Sequence, residues 1–395
     1  MASVSSLDWP FLDDRHRALA AELRPWIARE LAPLPHRETD VDADCRQLVD
    51  LLGKAGWLKY TVPKTFGGSL QCVDLRCLCL IREMLAYEWS LADFVFAMQG
   101  LGAAPIVRYG SESLRKRYLP RVASGQAIAA FALSELEAGS DIAAMRTSAS
   151  RQRKGYLING EKAWISNAGI ADHYVIFARF PEGGDKAFVA LVVDADNPGL
   201  RVSTRTNVIA PHPLGIVTLS DCWVAEESLV GEVGKGLKVA LGTLGAFRAT
   251  VAGAAIGFAR RALDEAVNYV QKRKAFGQLL SSFQLTQARI AEMVTAVDAG
   301  ELLLQRAAWV HDVSESANGT ESAIAKLYAT ESAQQVIDSA VQLFGGQGVV
   351  SGSIVERLYR EVRALRIYEG TSEIQKLVIA RQVFSPKASV GRSHG

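Results

Sequence analysis

A single carboxylate among apolar residues is the feature of this sequence that most directly suggests chemistry. Glu369 directly precedes Gly370 in the stretch RALRIYEGTSEIQKLVIAR, and it follows Leu365, Ile367 and Tyr368. A charged side chain in apolar company is costly unless it is paired or protonated. Glu369 is therefore either a proton-transfer group whose pKa is raised by its neighbours or a loop residue that points into water.

The residues after Glu369 predict how firmly it is held. From Ser372 the sequence reads Ser-Glu-Ile-Gln, a capping box in which Ser372 caps a helix and Gln375 reaches back. Glu373 falls in the first helical turn, where the helix dipole favours an anion. Because Gly370 allows an unusual backbone angle, we expect Glu369 to lie in a tight turn ahead of a helix. A rigid turn favours chemistry over a solvent-exposed loop.

Two further stretches could hold the polar edge of a flat ligand. FALSELEAGSDIAAMRTSA joins a β run to a polar turn that contains Ser134 and Ser140. Spare N–H groups and hydroxyls in such a turn can bind a ring or a phosphate, although a simple strand-ending turn is the more ordinary interpretation. In EKAWISN, Trp164 and Ser166 alternate along a strand and so share one face. Taken alone, a core position explains Trp164 better than a ligand contact.

Basic and glycine-rich stretches in the C-terminal half are weaker candidates for phosphate binding. KRKAFG places Arg273 and Phe276 at a helix end, where solvated bases are also common. QLFGGQGV follows no β run, so it does not predict a Rossmann dinucleotide site. GEVGKGLK lacks the full phosphate-loop pattern and is better explained as a turn.

Composition limits the classes of function. The net charge of +2 over 395 residues gives no general case for binding nucleic acid or membranes, and no apolar run appears long enough to span a bilayer. Five cysteines lack metal-site spacing and predict free, mostly buried thiols, with Cys72, Cys77 and Cys79 on one buried helix surface. Six scattered histidines predict no metal. The first residues lack an apolar signal core, so we expect a bacterial cytoplasmic protein, with a processed mitochondrial matrix protein as the alternative.

The hydrophobic pattern changes twice along the chain. Residues 1–124 show helical spacing, and the apolar run from residue 75 to 110 predicts a helix buried on several sides. Residues 125–238 contain short β-branched runs, with Asn159-Gly160 as a hairpin signal, and predict a β-barrel or sandwich. Residues 239–395 contain long Ala- and Gly-rich helices that predict a four-helix bundle. The predicted fold class is α+β, in the order α, β, α.

These motifs together resemble the acyl-CoA dehydrogenase family. LSELEAGSD, KAWISN, RKAFGQLLSSFQ, LFGGQG and IYEGTSEIQ followed by LVIAR occur in the family's order and cover essentially the full chain. The resemblance implies the same three-domain fold, FAD between the β domain and the bundle, and a homotetramer built as a dimer of dimers. It also implies these FAD contacts, some from a neighbouring subunit: Leu133, Ser134, Ser140, Trp164, Ser166, Arg273, Phe276, Gln342, Gly345, Gly346, Thr371 and Glu373.

The resemblance makes Glu369 the base of an α,β-dehydrogenation. In the family such a base removes the α-proton of an acyl-CoA thioester, hydride passes to flavin N5, and an electron-transfer flavoprotein takes the electrons. Burial would raise the pKa of Glu369 toward neutrality, and its backbone N–H would help to bind the enolate-like oxygen. The family's substrate positions correspond to Ser140, Arg248, Tyr368 and Gly370. Some members carry the base just before the Arg248 position, which is Phe247 here.

Departures from the family pattern leave the substrate open. Ala275 stands where many members have threonine, and NVIAPHPLGIVTL replaces a polar or basic loop near the cofactor or CoA. Phe94, Phe96 and Met98 would narrow the acyl pocket toward a short, branched or cyclic group. The alternatives are a carrier-protein thioester or an oxidase that uses O₂. A flavin monooxygenase is disfavoured by Glu369, and a nucleic-acid-associated relative by the lack of a basic C-terminal region.

Overall fold

The computed structural model describes residues 6–36, 38–184, 186–314 and 319–384. The sequence-based expectations on the first five residues and on the C-terminal tail lie outside these described residues. Within them the chain forms helices, then a mainly antiparallel sheet, then helices again, which confirms the predicted α-β-α order. The domain limits at residues 124 and 238 stay a prediction.

The N-terminal part consists of helices around one apolar core. Acceptor side chains of Asp40, Asp74 and Ser111 cap the second, third and fifth helices. A π-helical turn, Ile27–Leu31, continues the first helix. The helices are α1 (Asp14–Trp26), α2 (Val41–Lys54), α3 (Leu75–Glu88), α4 (Ser90–Tyr109) and α5 (Glu112–Ala123).

The apolar run from residue 75 to 110 is two helices, so the prediction of one helix was wrong. Trp89 has an extended backbone between α3 and α4, and its ring is buried and stacks on His36 at 4.5 Å. The break lets α4 fold back beside α3. Cys77 and Cys79 are buried on α3 as expected, but Cys72 lies ahead of the helix and is exposed.

The middle part is one seven-stranded sheet. Strands β1, β4, β2, β3, β7 and β6 lie side by side in that order, and β5 pairs with the other edge of β4. The long pair β3–β7 forms the centre. The strands are β1 (Ala129–Ala132), β2 (Ser148–Arg151), β3 (Gly155–Ser166), β4 (His173–Arg179), β5 (Phe188–Asp194), β6 (Leu200–Arg205) and β7 (Leu214–Ala225).

Asn159-Gly160 does not form the predicted hairpin turn. It lies inside β3, where the register against β7 shifts between Ile158 and Gly160 as in a β-bulge. The Asn159 amide both donates to the Asp221 carboxylate and accepts from its backbone N–H. An added Cβ at Gly160 would lie 2.6 Å from the Cα of Thr147. A neighbouring chain segment therefore selects glycine here.

The C-terminal part is a bundle that also packs on the N-terminal helices. Gly257 explains the close approach of α6 to α3, because a Cβ there would meet the Glu83 carbonyl oxygen at 2.2 Å. A short hairpin, β8 (Lys274–Ala275) and β9 (Gln278–Leu279), follows α6. The helices are α6 (Gly236–Val270), α7 (Gln284–Val313), α8 (Thr320–Phe344), α9 (Ile354–Leu365) and α10 (Ser372–Phe384).

In the part of the chain that the structure describes, two helices are long and apolar enough to cross a membrane by length and composition, contrary to the sequence-based expectation. They are α4 and α6, and in each 78% of the apolar stretch is buried inside the protein. Their apolar faces are therefore already covered by neighbouring helices and strands. Core helices of this kind pass the same test without a membrane.

Candidate active site

The turn between α9 and α10 holds Glu369 in a left-handed backbone conformation. Glu369 has φ +52° and Gly370 has φ +91°. The φ of Gly370 is one that residues with a Cβ rarely adopt, which favours glycine there. A non-glycine residue with positive φ is uncommon and often marks a functional site. The predicted tight turn is confirmed.

Two side chains from the helices fasten this turn by its carbonyl groups. Lys326 of α8 donates from Nζ to the carbonyl oxygen of Tyr368 at 2.6 Å and also to that of Gly370. Gln375 donates to the Gly370 carbonyl at 2.7 Å. Sequence motifs alone do not identify Lys326. It is a lone lysine in the alanine-rich run ESAIAKLYATES, and its hydrogen-bond partner Tyr368 lies 42 residues away in the sequence.

The predicted capping box is wrong in detail. Thr371 caps α10, since the Ile374 N–H donates to its Oγ1 at 3.4 Å. Ser372 is the first residue of the helix, and its hydroxyl instead donates to the Glu331 carboxylate. Gln375 reaches the carbonyls of the turn instead of the cap's N–H. Because the Ser372 hydroxyl is bound to Glu331 on α8, it does not cap the helix.

One oxygen of the Glu369 carboxylate is enclosed, and the group lies among cations. Its Oε2 atom is buried without a hydrogen-bond partner among the described residues. Burial raises the pKa of Glu369, while the positive charges of Arg82, Lys326 and Arg248 oppose that rise. For Lys326 burial acts in the opposite direction and lowers the pKa to about 8, while the negative charge of Glu369 opposes that change. The net effect is a carboxyl group whose proton affinity is higher than usual.

Arg248 of α6 is buried beside this carboxylate. Only 8% of its surface is exposed, and its Nε atom is enclosed with no partner in the described part of the chain. Burial lowers the pKa of Arg248, and the Glu369 charge counteracts this. The residue before it, Phe247, is apolar and buried, so it offers no second base at this point.

A cavity of about 440 Å³ lies beside the turn, between the sheet and the helices. Tyr368 lines it, and so do Trp164 and Ser166 from the end of β3. Trp164 has φ +60° where β3 shifts register, and 52% of its surface is exposed, so it is not a core residue. The predicted common face of Trp164 and Ser166 thus opens on this cavity.

Most of the cavity wall is apolar, but one part of it is charged. We call the residues Arg82, Ser90, Asp93, His212 and Glu361 the polar patch, and all five line the cavity. Arg82 binds Asp93 through two hydrogen bonds of 2.7 and 2.8 Å and is nearly fully buried. Glu361 accepts from Ser90 at 2.7 Å and pairs with His212 at 2.9 Å. Charged residues inside otherwise apolar helices were the available sequence signal for Arg82 and Asp93.

Of the three residues that were expected to narrow the acyl pocket, one lines the cavity. Phe94 lines the cavity and packs edge-on against the His212 ring at 4.4 Å. Phe96 is 1% exposed and belongs to the core, and Met98 packs against that core; neither lines the cavity. Helical periodicity turns Phe96, two positions on, away from Phe94, whereas Met98, four positions on, lies on the Phe94 face one turn further along α4. The segment NVIAPHPLGIVTL does line it, through residues 208–210, 212 and 214.

The polar turn after β1 is tied to the same end of β3. The Ala163 N–H donates to the Ser134 carbonyl at 2.9 Å, and Lys162 donates to the Leu133 carbonyl at 3.1 Å. Lys162 also forms a buried ion pair of 2.8 Å with Glu135. Burial lowers the pKa of Lys162 to about 8 despite that partner. Ser140 lies further along the turn and is exposed.

None of the remaining predicted cofactor contacts lines the cavity, and five of them lie at one end of the bundle. Tyr269 near the end of α6 stacks on Phe344 at the end of α8, with ring centres 4.2 Å apart. This contact brings two groups of exposed residues to the same end: Arg273 and Phe276, and Gln342, Gly345 and Gly346. Thr371 and Glu373 instead begin α10, beside Glu369.

The arrangement fits a flavin. A half-exposed indole and the strand-end hydroxyl of Ser166 line an apolar cavity of about 440 Å³, and the polar turn is hydrogen-bonded to the same end of β3. Among the described residues, one group of potential metal ligands lies close together: His16, Asp74 and Cys77. His16 and the Cys77 N–H already hydrogen-bond Asp74, so this group is accounted for as a helix cap.

Comparison with known proteins places the chain in a family. Three family models match it in order: Acyl-CoA dehydrogenase, N-terminal domain (residues 13–126), middle domain (130–222) and C-terminal domain (234–384). The chain therefore belongs to the acyl-CoA dehydrogenase family. It is an FAD-dependent oxidoreductase, and its reaction is a flavin-dependent dehydrogenation of the acyl-CoA dehydrogenase type.

Individual relatives cover nearly the whole chain. The Mycobacterium leprae protein named "Probable acyl-CoA dehydrogenase fadE25" is 35% identical over 376 residues, 94% of this chain and 95% of its own. The structure of butyryl-CoA dehydrogenase from Megasphaera elsdenii matches with a TM-score of 0.86, 29% identity, and 94% and 98% coverage. The structure of the prolyl acyl carrier protein oxidase AnaB matches with a TM-score of 0.87, 26% identity, and 94% and 99% coverage.

Proposed function

We propose that the protein dehydrogenates the α,β-bond of an acyl-CoA thioester, with Glu369 as the base that removes the α-proton. The observation that carries this proposal is the Oε2 atom of Glu369, which is buried with no hydrogen-bond partner among the described residues, in a turn held beside the cavity. FAD, when bound, supplies the acceptor for the β-hydrogen. Trp164, Ser166, Leu133 and Ser134 are the residues that would hold its ring.

The surroundings of Glu369 suit proton abstraction next to a thioester. Burial makes its carboxylate a stronger base than an exposed glutamate, which narrows the gap to the weakly acidic α-proton. The positive charges of Arg248 and Lys326 oppose this rise in the pKa of Glu369, so a larger fraction of the carboxyl groups is ionised. Lys326 and Gln375 hold the turn by its carbonyls, so the carboxylate and the backbone N–H of Glu369 keep one relative position.

The direct test is bleaching of the oxidised flavin by acyl-CoAs without oxygen. A panel of short straight, branched, cyclic and long acyl-CoAs is mixed with the wild-type holoenzyme and with Glu369→Gln. Loss of a general base costs roughly 10²- to 10⁴-fold, so one group should bleach the wild type and not the variant. Glu112→Gln, the same change on the exposed start of α5, is the control and should bleach normally. Equal bleaching by Glu369→Gln would refute the assignment.

The acceptor and assembly belong to the same proposal. We propose an electron-transfer flavoprotein as the acceptor and a homotetramer, a dimer of dimers, in which a neighbouring subunit's Arg273, Phe276, Gln342, Gly345 and Gly346 complete the FAD site. These residues are exposed in the single chain, which supports a role toward another subunit. The relatives from Mycobacterium and Megasphaera are bacterial, which supports the bacterial cytoplasm as the compartment.

A second candidate is the same chemistry on an acyl-carrier-protein thioester, with O₂ as the acceptor. The likeness to the prolyl acyl carrier protein oxidase favours it. The two candidates separate when one acyl group is offered on CoA and on a carrier protein. Faster bleaching by the carrier thioester, together with turnover in air without another acceptor, would select the second candidate.

A further inference from the structure

The polar patch is unusual for a cavity that would only hold a hydrocarbon. Arg82 and Asp93 are almost fully buried and yet face the cavity. A buried ion pair often contributes no more stability than apolar residues of similar size, so folding alone gives little reason for one here. A hydrocarbon placed against it would displace water and return no hydrogen bonds.

Hydrogen-bond acceptors predominate in the patch. Each carboxylate has about four lone-pair sites. Asp93 uses two for Arg82, and Glu361 uses one for Ser90 and one for His212. Arg82 donates a third N–H to Thr250 at 3.0 Å, which leaves two of its five N–H groups. The two carboxylates keep about two acceptor sites each, and together with the Ser90 oxygen they outnumber these two donors.

This balance indicates the chemistry of the ligand. A carboxylate on the acyl group would meet Asp93 and Glu361, while Arg82, the buried cation of the patch, is already paired. A hydroxyl group can donate to either carboxylate and needs no counter-charge. Phe94, packed edge-on against His212, supplies an apolar wall next to the patch for a compact carbon skeleton.

We propose that the acyl group of the substrate is a short or cyclic one that carries a hydroxyl group beyond the β-carbon, bound by the polar patch. The proposal rests on the function proposed above. The hydroxyl donates to Glu361 or Asp93, and the Arg82–Asp93 pair keeps the acceptors in place. Unsubstituted and carboxylated acyl groups of the same skeleton bind less well.

The test compares matched thioesters on the wild-type holoenzyme. Butyryl-CoA is paired with 4-hydroxybutyryl-CoA, and cyclohexanecarboxyl-CoA with its 4-hydroxy derivative; succinyl-CoA and 4-aminobutyryl-CoA supply anionic and cationic tails. One hydrogen bond to a charged acceptor corresponds to roughly 10- to 100-fold in kcat/KM, in favour of the hydroxylated member. Calorimetry also measures the Kd of the corresponding 2-enoyl-CoAs, which are the reaction products and do not turn over. This readout does not need dehydrogenation.

Two variants assign the effect to the patch. Glu361→Gln keeps the side-chain size but removes the charge, and Ser90→Ala removes only a hydroxyl. Both should reduce the preference for the hydroxylated thioester over the plain one, by roughly 10-fold or more for Glu361→Gln. Circular dichroism and flavin content establish that each variant is folded. A surface change, Glu112→Gln, should leave the preference as it is.

The outcomes separate this inference from the proposed function. If plain and hydroxylated members react and bind equally while Glu369→Gln still abolishes bleaching, the inference is wrong and the function stands. Tighter binding of the amino or carboxylate member would overturn the inference in favour of a charged tail. If Glu369→Gln bleaches like wild type, the proposed function fails, and the calorimetric comparison still decides the ligand preference.

Discussion

Glu369 combines two properties that seldom occur together in one residue. Its backbone has a positive φ, and its carboxylate has one enclosed oxygen with no partner among the described residues. Both cost free energy, and Lys326 and Gln375 maintain them by binding the carbonyls of the turn. The cations around Glu369 limit how far burial raises its pKa.

This balance predicts the pH dependence of flavin reduction. Glu369 must be ionised to accept a proton, so the rate should fall as the pH drops through its raised pKa. Arg248 lowers that pKa, so Arg248→Gln should move the acidic limb to higher pH. The measurement is the rate of anaerobic flavin reduction at saturating substrate against pH.

The test of this prediction is the pH at which the acidic limb of the rate profile lies. The plateau rate is not a test, because Arg248 is also expected to position the substrate and its loss would change that rate. Lys116→Gln, a loss of the same charge on the exposed face of α5, should leave the limb in place. A limb for Arg248→Gln that stays put or moves to lower pH would contradict the electrostatic argument.

At the level of the elements, α6 organises the site because it approaches α3 very closely. Gly257 lies against the backbone of Glu83, next to Arg82 of the polar patch, and Arg248 projects from the same helix toward Glu369. The spacing between these two helices therefore sets where two of the three cations near Glu369 can lie.

Two glycine-to-alanine changes on α6 should have opposite effects. Gly257→Ala places a Cβ 2.2 Å from the Glu83 carbonyl oxygen and should destabilise the protein by about 1–3 kcal/mol. Gly245→Ala meets nothing within 4 Å and should stabilise it by about 0.5–1 kcal/mol through helix propensity. Denaturant unfolding measures both. Similar effects of the two changes would show that the helix contact is not tight.

On the scale of the whole molecule, the chain by itself leaves large apolar side chains in solvent. Phe276 is 96% exposed on the β8–β9 hairpin, at the bundle end that also carries Gly345 and Gly346. An exposed ring of this size offers an apolar surface that a second subunit can cover. The proposed tetramer and the shared FAD site would supply that surface.

Removing this ring should therefore affect assembly more than folding of the single chain. We expect Phe276→Ala to weaken FAD retention and tetramer formation about 10-fold or more, while secondary structure stays unchanged. Sedimentation velocity and flavin release on dilution measure the two effects. Val383→Ala, at another exposed apolar residue, is the matched control. Full FAD retention and an unchanged oligomer in Phe276→Ala would remove this residue from the proposed interface.

The sequence by itself determined the features that depend on neighbouring residues. The α-β-α order follows from hydrophobic periodicity, and the turn at Glu369 follows from a glycine directly before a helix. The family could be recognised because its motifs are short and contiguous.

Only the tertiary structure decided what depends on distant partners. Lys326 reaches the turn from α8, and the polar patch gathers side chains from α3, α4, α9 and the segment before β7. Asn159-Gly160 lies in a bulge of β3 and leaves no room for a Cβ against Thr147 of another chain segment, and the Ser372 hydroxyl binds Glu331 on α8. Local patterns encode periodicity and backbone freedom. They do not encode which charges meet across the core, because that depends on how the helices and the sheet pack.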